Sequence, residues 1–246
     1  MIADPFAQLR LLDLQALDTA LAQLAHKRRT LPELSVIADC TARIAVLQDE
    51  ATTAQVELDD VAREQSRLEA DVDMVAARAK RDADRMLAGG LPAKELESLQ
   101  HEIDSLARRQ STLEDEVLEA MERRESAEST LAQVSGQIAG IEAERAGAAA
   151  ARDTAFAGID ADAAGRTAQR AELAGSLPGD LVALYEKVRE SSGGSGAAAL
   201  HQRRCEGCRL ELAGSELSAV RAAAPETVLR CENCRRILVR TAESGL

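Results

Sequence analysis

Two long heptad patterns, separated by Gly-Gly-Leu-Pro, decide what this chain can fold into. From Ile44, apolar residues recur at alternating spacings of three and four through Leu47, Ala51, Ala54, Leu58, Val61, Gln65, Leu68, Val72, Val75, Ala79, Asp82 and Met86. A second series runs through Leu96, Leu99, Ile103, Leu106, Gln110, Leu113, Val117, Ala120, Arg124, Ala127, Leu131, Val134, Ile138 and Ile141, and its phase still predicts Ile159. Seams of this length with charged flanks are coiled-coil seams. Between them, Gly89 and Gly90 can leave the helical region, and Pro92 can occupy the first turn of a new helix. The chain is therefore expected to reverse near 88–93, giving two antiparallel helices over roughly 4–88 and 93–175. At about 1.5 Å per residue, the hairpin would be on the order of 120 Å long.

Composition agrees with a thin aliphatic seam. The 246 residues include two Phe, one Tyr and no Trp, while 29% are charged. A large sheet or barrel would need more core volume than these side chains supply. Near the base, the seam Leu14, Leu17, Leu21, Leu24, Leu31 is out of phase with Ile37, Cys40, Ile44, and the slip falls at Leu31-Pro32-Glu33. Proline removes a helical hydrogen bond, so a break is expected near residue 32, facing the small residues of 145–152. Gly147, Gly158 and Gly165 make the later part of the second helix its softest stretch, at about 1 kcal/mol each relative to Ala. After Leu177-Pro178-Gly179, a short helix with Asp180 as N-cap carries Leu181, Leu184, Tyr185 and Val188 on one face. Ser191–Gly196 has the composition of a flexible linker. The domain reading is a hairpin with base helix over 1–190, a linker over 191–196 and a small C-terminal domain over 197–246.

That last domain holds four of the five cysteines, as Cys205-Glu-Gly-Cys208 and Cys231-Glu-Asn-Cys234. Two C-x-x-C pairs at this separation form a four-thiolate zinc site. Gly207 and Asn233 fill the same position in the two knuckles, and both tolerate left-handed backbone. Strand-like stretches flank the pairs (Ala199–Arg204, Arg209–Ala213, Thr227–Arg230, Arg236–Thr241), with Ser215 placed to cap a short helix. The fold class is mainly α: a long antiparallel coiled-coil hairpin followed by a small β zinc ribbon. Four protein thiolates leave no position for a catalytic water, so the single Zn²⁺ is expected to be structural, substituting for the core that so small a domain lacks.

The whole arrangement resembles the bacterial coiled-coil proteins with a C-terminal zinc-ribbon domain. The residues that carry the likeness are the hairpin, Leu184-Tyr185-Glu186 with Arg189, C-x-G-C, and C-x-N-C-x-R-I-L through Arg236, Ile237 and Leu238. The resemblance implies a nucleic-acid-binding or transcription-linked adaptor. Flagellar and type III secretion relatives are associated with transcription control, messenger RNA binding or chaperone docking. Position 235 departs from the family pattern, carrying Arg where such ribbons generally have Gly.

The formal charge is −12. From residue 197 onward, however, eight Arg face six Glu, so the tail is +2 and the preceding 196 residues carry −14. Any polyanion contact therefore belongs to the ribbon, where Arg203, Arg204, Arg209, Arg230, Arg235, Arg236 and Arg240 form the candidate contact set for nucleic acid or a protein partner. Against this stand the interleaved Glu206, Glu211 and Glu232 and the absence of any aromatic residue after Tyr185 to stack on a base. A protein scaffold or chaperone-like adaptor without nucleic-acid contact is the rival reading.

Regulators that insert a coiled-coil hairpin into the RNA polymerase secondary channel depend on acids at the tip, whereas this tip is Gly-Gly-Leu-Pro. The three histidines (His26, His101, His201) are dispersed, Cys40 continues an apolar seam, and no phosphate loop or nucleophile elbow is present, so no enzyme or small-molecule substrate is expected. No signal sequence or membrane span is visible, and a cytoplasmic protein is expected.

Overall fold

The computed structural model describes all residues, Met1–Leu246, in two compact units, Ser35–Ala149 and Met1–Leu34 with Ala150–Leu246. The helices are α1 (Pro5–Arg29), α2 (Pro32–Leu87), α3 (Ala93–Gly175) and α4 (Gly179–Ser191). Strands β1 (Ala197–His201) and β2 (Arg204–Cys205), helix α5 (Gly214–Ala222), and strands β3 (Leu229–Arg230) and β4 (Ile237–Arg240) complete the chain.

In the first unit, α2 and the leading part of α3 run antiparallel. Gly89 and Gly90 take φ of +73° and +82° at the reversal, the left-handed conformation that only glycine adopts without strain. The two heptad series are the interface. Cys40 and Ile44 pack with Ile141, and Leu68 with Leu113 and Ala120. Arg43 lies opposite Glu144, Glu64 opposite Arg123, Arg78 opposite Glu102 and Arg85 opposite Glu95, which fixes the register along the hairpin. Of the polar residues on the seam, Gln65 and Gln110 bond to Glu69 and Glu114 of their own helices, and Arg124 reaches out to Glu128 of its own helix and, at 3.5 Å, to Gln65 across the seam. Long polar side chains escape a two-helix seam because it is narrow.

The second unit is built on α1, the end of α3, α4 and the ribbon. The expected break falls between Arg29 and Pro32, with Pro32 opening α2 where its missing N–H costs nothing. Beside the break, Arg28 pairs with Asp160 and stacks its guanidinium 4.0 Å from the Phe156 ring centroid. The chain entering the break thus lies against Phe156 rather than against only small residues of 145–152. Asp180 is not the cap of α4. Pro178 holds that position, because its fixed φ already sets the entry turn.

Leu11, Leu14, Leu173, Leu177, Leu181, Tyr185 and Val188 form one core together with Ala197, Ile237 and Val239 of the ribbon. A polar cluster sits inside it. Asp18, only 6% exposed, accepts hydrogen bonds from the Tyr185 hydroxyl (2.7 Å) and from Arg170 (2.6 and 3.2 Å). Glu186 bonds Arg170 and, at 2.8 Å, Arg189, so the Tyr-Glu-x-x-Arg motif of α4 is the frame of this cluster. Gln15 completes it, its Oε1 lying 3.2 Å from the Tyr185 hydroxyl oxygen and accepting from the N–H groups of Gly196 and Ala197.

Ser191–Gly196 is consequently no flexible tether. It reverses through Gly193 and Gly194, both at positive φ, and ends with Gly196 pressed on Tyr185, where a Cβ would stand 2.7 Å from the ring and from the Tyr185 carbonyl oxygen. The ribbon follows as a four-stranded sheet of order β2-β1-β4-β3, with β1 parallel to β4 and the other pairs antiparallel. The stretch expected as a strand over Arg209–Ala213 contributes only a single bridge, Glu211 to Arg204. Helix α5 starts at Gly214 with Ala213 in the cap position, two residues ahead of the Ser215 cap expected from sequence.

No atom lies within 4 Å of a Cβ built on Gly147, Gly158 or Gly165, all of them helical. Replacing the three by Ala is expected to stabilise the chain by about 0.5–1 kcal/mol per site and to slow amide exchange over 145–170. A denaturant midpoint that stays put or falls would refute this.

The Asp18 carboxyl feels burial first, which raises its pKa, but hydrogen bonds from Arg170 and Tyr185 and the charges of Arg170 and Arg189 outweigh it and hold the carboxyl below its usual value. Its stabilising contribution is therefore complete above about pH 4, the unfolded value, and disappears as pH falls through the depressed folded value. Asp18→Asn is expected to cost about 3 kcal/mol at neutral pH by removing the buried carboxylate that Arg170 and Arg189 share, leaving part-buried Arg170 with Glu186 alone. In urea titrations over pH 2–7, the gap between wild type and variant should close on the acid side. A gap independent of pH would assign the loss to packing instead.

Candidate metal centre

Each cysteine pair is presented by a short turn between strands, and the two turns are built alike. The N–H of Arg209 donates to the Cys205 carbonyl oxygen at 2.7 Å and that of Arg235 to the Cys231 carbonyl oxygen at 2.9 Å. The next bond also repeats: Cys205 N–H reaches the Leu210 oxygen and Cys231 N–H the Arg236 oxygen, both at 3.0 Å. To make these bonds the chain must turn sharply just after the second cysteine. The left-handed residues are accordingly Arg209 and Arg235, each at φ +63°, and not Gly207 and Asn233 as their residue types suggest. Left-handed backbone costs a non-glycine residue roughly 1–2 kcal/mol. Gly207 is required for space: a Cβ there would come within 2.7 Å of the Arg236 side chain and 3.0 Å of Ala198 Cβ.

The four thiol sulfurs all lie within 4.8 Å of one another. Cys205 Sγ is 3.7 Å from Cys234 Sγ and Cys208 Sγ is 3.9 Å from Cys231 Sγ. A tetrahedron with metal–sulfur bonds of about 2.3 Å has edges of roughly 3.8 Å, whereas a disulfide would need about 2.05 Å. The spacing thus suits one zinc ion held by thiolates.

Burial pushes the Cys205 and Cys231 thiols up, although the backbone N–H groups of Gly207 and Cys208 point at the first sulfur and those of Asn233 and Cys234 at the second. Burial also acts to raise Cys234, but the backbone N–H and side chain of Arg236, with Cys231 and Cys205, bring it down to about 7. Four sulfurs packed this closely, two of them buried, cannot carry four negative charges without a cation. Bound zinc supplies that charge, and the N–H groups already aimed at sulfur are the outer hydrogen bonds that orient its ligands.

All four sequence-predicted ligands converge. The seven candidate arginines do not behave as one set. Arg236 is half-buried and donates to the carbonyl oxygens of Gly207 (3.2 Å) and Ser192 (3.0 Å), tying one knuckle to the end of α4. Arg240 donates to the carbonyl oxygens of Ala223, Ala224 and Pro225 at 2.7–2.9 Å and so closes the C-terminus of α5. Arg203, Arg204, Arg209, Arg230 and Arg235 are exposed. Arg203 and Arg230 each bond one carbonyl oxygen, of Gly245 and Arg235, and no ribbon arginine pairs with a carboxylate.

Glu216 escaped sequence reasoning. It is 5% exposed on α5, and its Oε1 accepts the Glu232 N–H of the second knuckle at 2.9 Å. A glutamate in the first turn of a helix ordinarily reads as dipole complementation, so nothing in the sequence signalled a knuckle brace.

Comparison with known proteins agrees with this geometry. Residues 14–193 match the model of the CT398-like coiled coil hairpin domain, and residues 204–238 that of a C4-type zinc ribbon domain. The chain belongs to the CT398-like hairpin family with a C-terminal zinc ribbon. A Mycobacterium tuberculosis relative, the uncharacterized protein Rv2229c, is 37% identical over 233 residues, 95% of each chain. The uncharacterized Mycobacterium leprae protein ML1638 is 31% identical, covering 87% of this chain and 92% of its own. A solved structure from Mycobacterium smegmatis superposes with a TM-score of 0.88 at 34% identity, over 98% of this chain and 100% of that one. CT398 of Chlamydia trachomatis shares the fold, with a TM-score of 0.70 at 17% identity over 96% and 98% of the two chains.

Metal analysis of the purified protein is expected to give one zinc per chain, and Cys231→Ser to lower that content and expose the ribbon to proteolysis. Full zinc retention by the Ser variant would show that the metal is held elsewhere.

Proposed function

We propose that this protein is a non-enzymatic, cytoplasmic adaptor whose zinc ribbon contacts nucleic acid, linked to the transcription apparatus, while its coiled-coil hairpin offers faces to protein partners. The observation that carries the reading is the state of the ribbon's arginines. Glu206, Glu211 and Glu232 are interleaved with them in sequence, yet no arginine beyond residue 197 forms an ion pair with an acid, whereas Arg28, Arg43, Arg78, Arg85, Arg123 and Arg170 of the helices all do. Guanidinium groups left in solvent without an internal anion are available to an external one. With no aromatic side chain in the ribbon for base stacking, contact would be to the phosphate backbone and largely independent of base sequence.

One observation favours the rival scaffold. On the hairpin, Ala42, Val46, Leu47, Gly140 and Ile141 line an apolar groove of about 780 Å³, and Val46 is 58% exposed.

No helix is long and apolar enough to cross a membrane. The zinc fits a structural role, since all four of its ligands come from the protein.

Salt dependence separates the two readings. Anisotropy titration of labelled duplex DNA and single-stranded RNA with the zinc-loaded chain is expected to show affinity falling steeply between 50 and 200 mM salt, with a log–log slope of roughly −3 to −5 for about five phosphate contacts. Absence of binding to both probes at low salt would remove the nucleic-acid reading and leave the scaffold.

A further inference from the structure

Four residues other than glycine have positive φ in this protein, and all lie in the ribbon: Gln202, Arg203, Arg209 and Arg235. The first two form the two-residue turn between β1 and β2, a hairpin geometry that demands left-handed backbone at both positions. The C-terminal segment holds that turn through Gln202 N–H to the Glu243 oxygen (2.8 Å) and Arg203 N–H to the Ser244 oxygen (2.9 Å). Arg209 and Arg235 are held left-handed only by their own N–H groups, which donate to the Cys205 and Cys231 carbonyl oxygens of the knuckles. Each follows the second cysteine of its knuckle, where the reversal favours glycine, and the side chain of each makes no hydrogen bond or ion pair within the chain. The fold gains nothing from a guanidinium at either place, and the knuckle would form more easily without a Cβ. Strain retained at a position whose side chain serves no internal contact marks a group used externally.

The geometry points to Arg209 and Arg235 as a paired phosphodiester clamp: we propose that the two guanidinium groups, each one residue beyond a metal ligand, grip backbone phosphates of a nucleic acid. The pairing follows from the metal site. Cys208 and Cys234 present sulfur atoms within 4.8 Å of each other, and the matching bonds to the Cys205 and Cys231 carbonyl oxygens give Arg209 and Arg235 the same local backbone. A guanidinium matches two phosphate oxygens at once. Phosphate is favoured over acidic protein because the exposed Glu206 and Glu232 inside the knuckles would oppose a broad carboxylate-rich surface but can be bypassed by two point contacts along a backbone. This assignment rests on the nucleic-acid reading above and specifies where that contact is made.

The test uses a substitution predicted to act in opposite directions on stability and binding. In the full-length, zinc-loaded chain, the double variant Arg209→Gly/Arg235→Gly relieves both strained positions, so the thermal midpoint of zinc release should rise, by roughly 5 °C. Its affinity for a labelled 20-base-pair duplex and for a single-stranded RNA of equal length should fall at least tenfold in 50 mM salt, with the log–log salt slope reduced by about 2. Arg209→Lys/Arg235→Lys keeps the charge without the bidentate fork and should retain the slope while losing part of the affinity.

Wild-type binding with an unchanged slope in the glycine variant would overturn the clamp and leave the adaptor reading intact. No wild-type binding to either nucleic acid would overturn both. A glycine variant that loses zinc more readily than wild type would overturn the strain argument. Equal displacement of the probe by poly-glutamate and by unlabelled duplex would assign the pair to carboxylates instead.

Discussion

The junction between helices and ribbon depends on one buried carboxylate. Asp18 takes the Tyr185 hydroxyl and the Arg170 guanidinium in an environment almost closed to water, and the shell around it is drawn from α1, α3 and α4. Such a charge is tolerated only when fully paired, so the three helices must meet in one arrangement or leave it unsatisfied. Gln15 then passes that arrangement on by fixing the N–H groups of Gly196 and Ala197, where the first ribbon strand begins. The aromatic side chain that the ribbon lacks in its own sequence is supplied by α4, since Tyr185 packs in the same core as Ile237 and Val239. Zinc and this shared core together replace the interior that so short a segment could not build.

Within Ser35–Ala149 the organising force is different. Two helices bury a single stripe, and alanines at Ala54, Ala120 and Ala127 alternate with Leu68, Leu113 and Val134. Cross-helix pairs such as Arg43 with Glu144 and Arg123 with Glu64 are exposed, so each contributes well under 1 kcal/mol, and they serve register more than stability.

Much of this was legible in the sequence because the signals are periodic or stoichiometric. A heptad repeat specifies which face is buried, Gly-Gly-Leu-Pro specifies where the chain reverses, and two C-x-x-C pairs specify a four-thiolate site. The residues that sequence reasoning misplaced act through neighbours distant in the chain. Gly207 is small because Arg236 crosses it, Ser191–Gly196 is ordered because Gln15 and Tyr185 grip its end, and Arg236 and Arg240 serve carbonyl oxygens rather than solvent. Arginine in a basic-looking tail carries no mark that tells a structural donor from a free one. The left-handed position also shifted, from the middle of each knuckle to the residue beyond it, because the bond to the first cysteine's carbonyl oxygen, and not residue preference, sets where the turn closes.

The contact between Gly196 and Tyr185 has an evolutionary corollary. Four cysteines recur in ribbons of every kind and so say little about descent. A glycine that cannot accept even a methyl group, set against a tyrosine eleven positions earlier and answering to a glutamine and an aspartate three residues apart near the other end of the chain, is a far rarer coincidence. Gln15, Asp18, Tyr185 and Gly196 answer to the seating of the ribbon on its helical base and not to the metal, so they would identify that seating in a chain whatever its metal ligands.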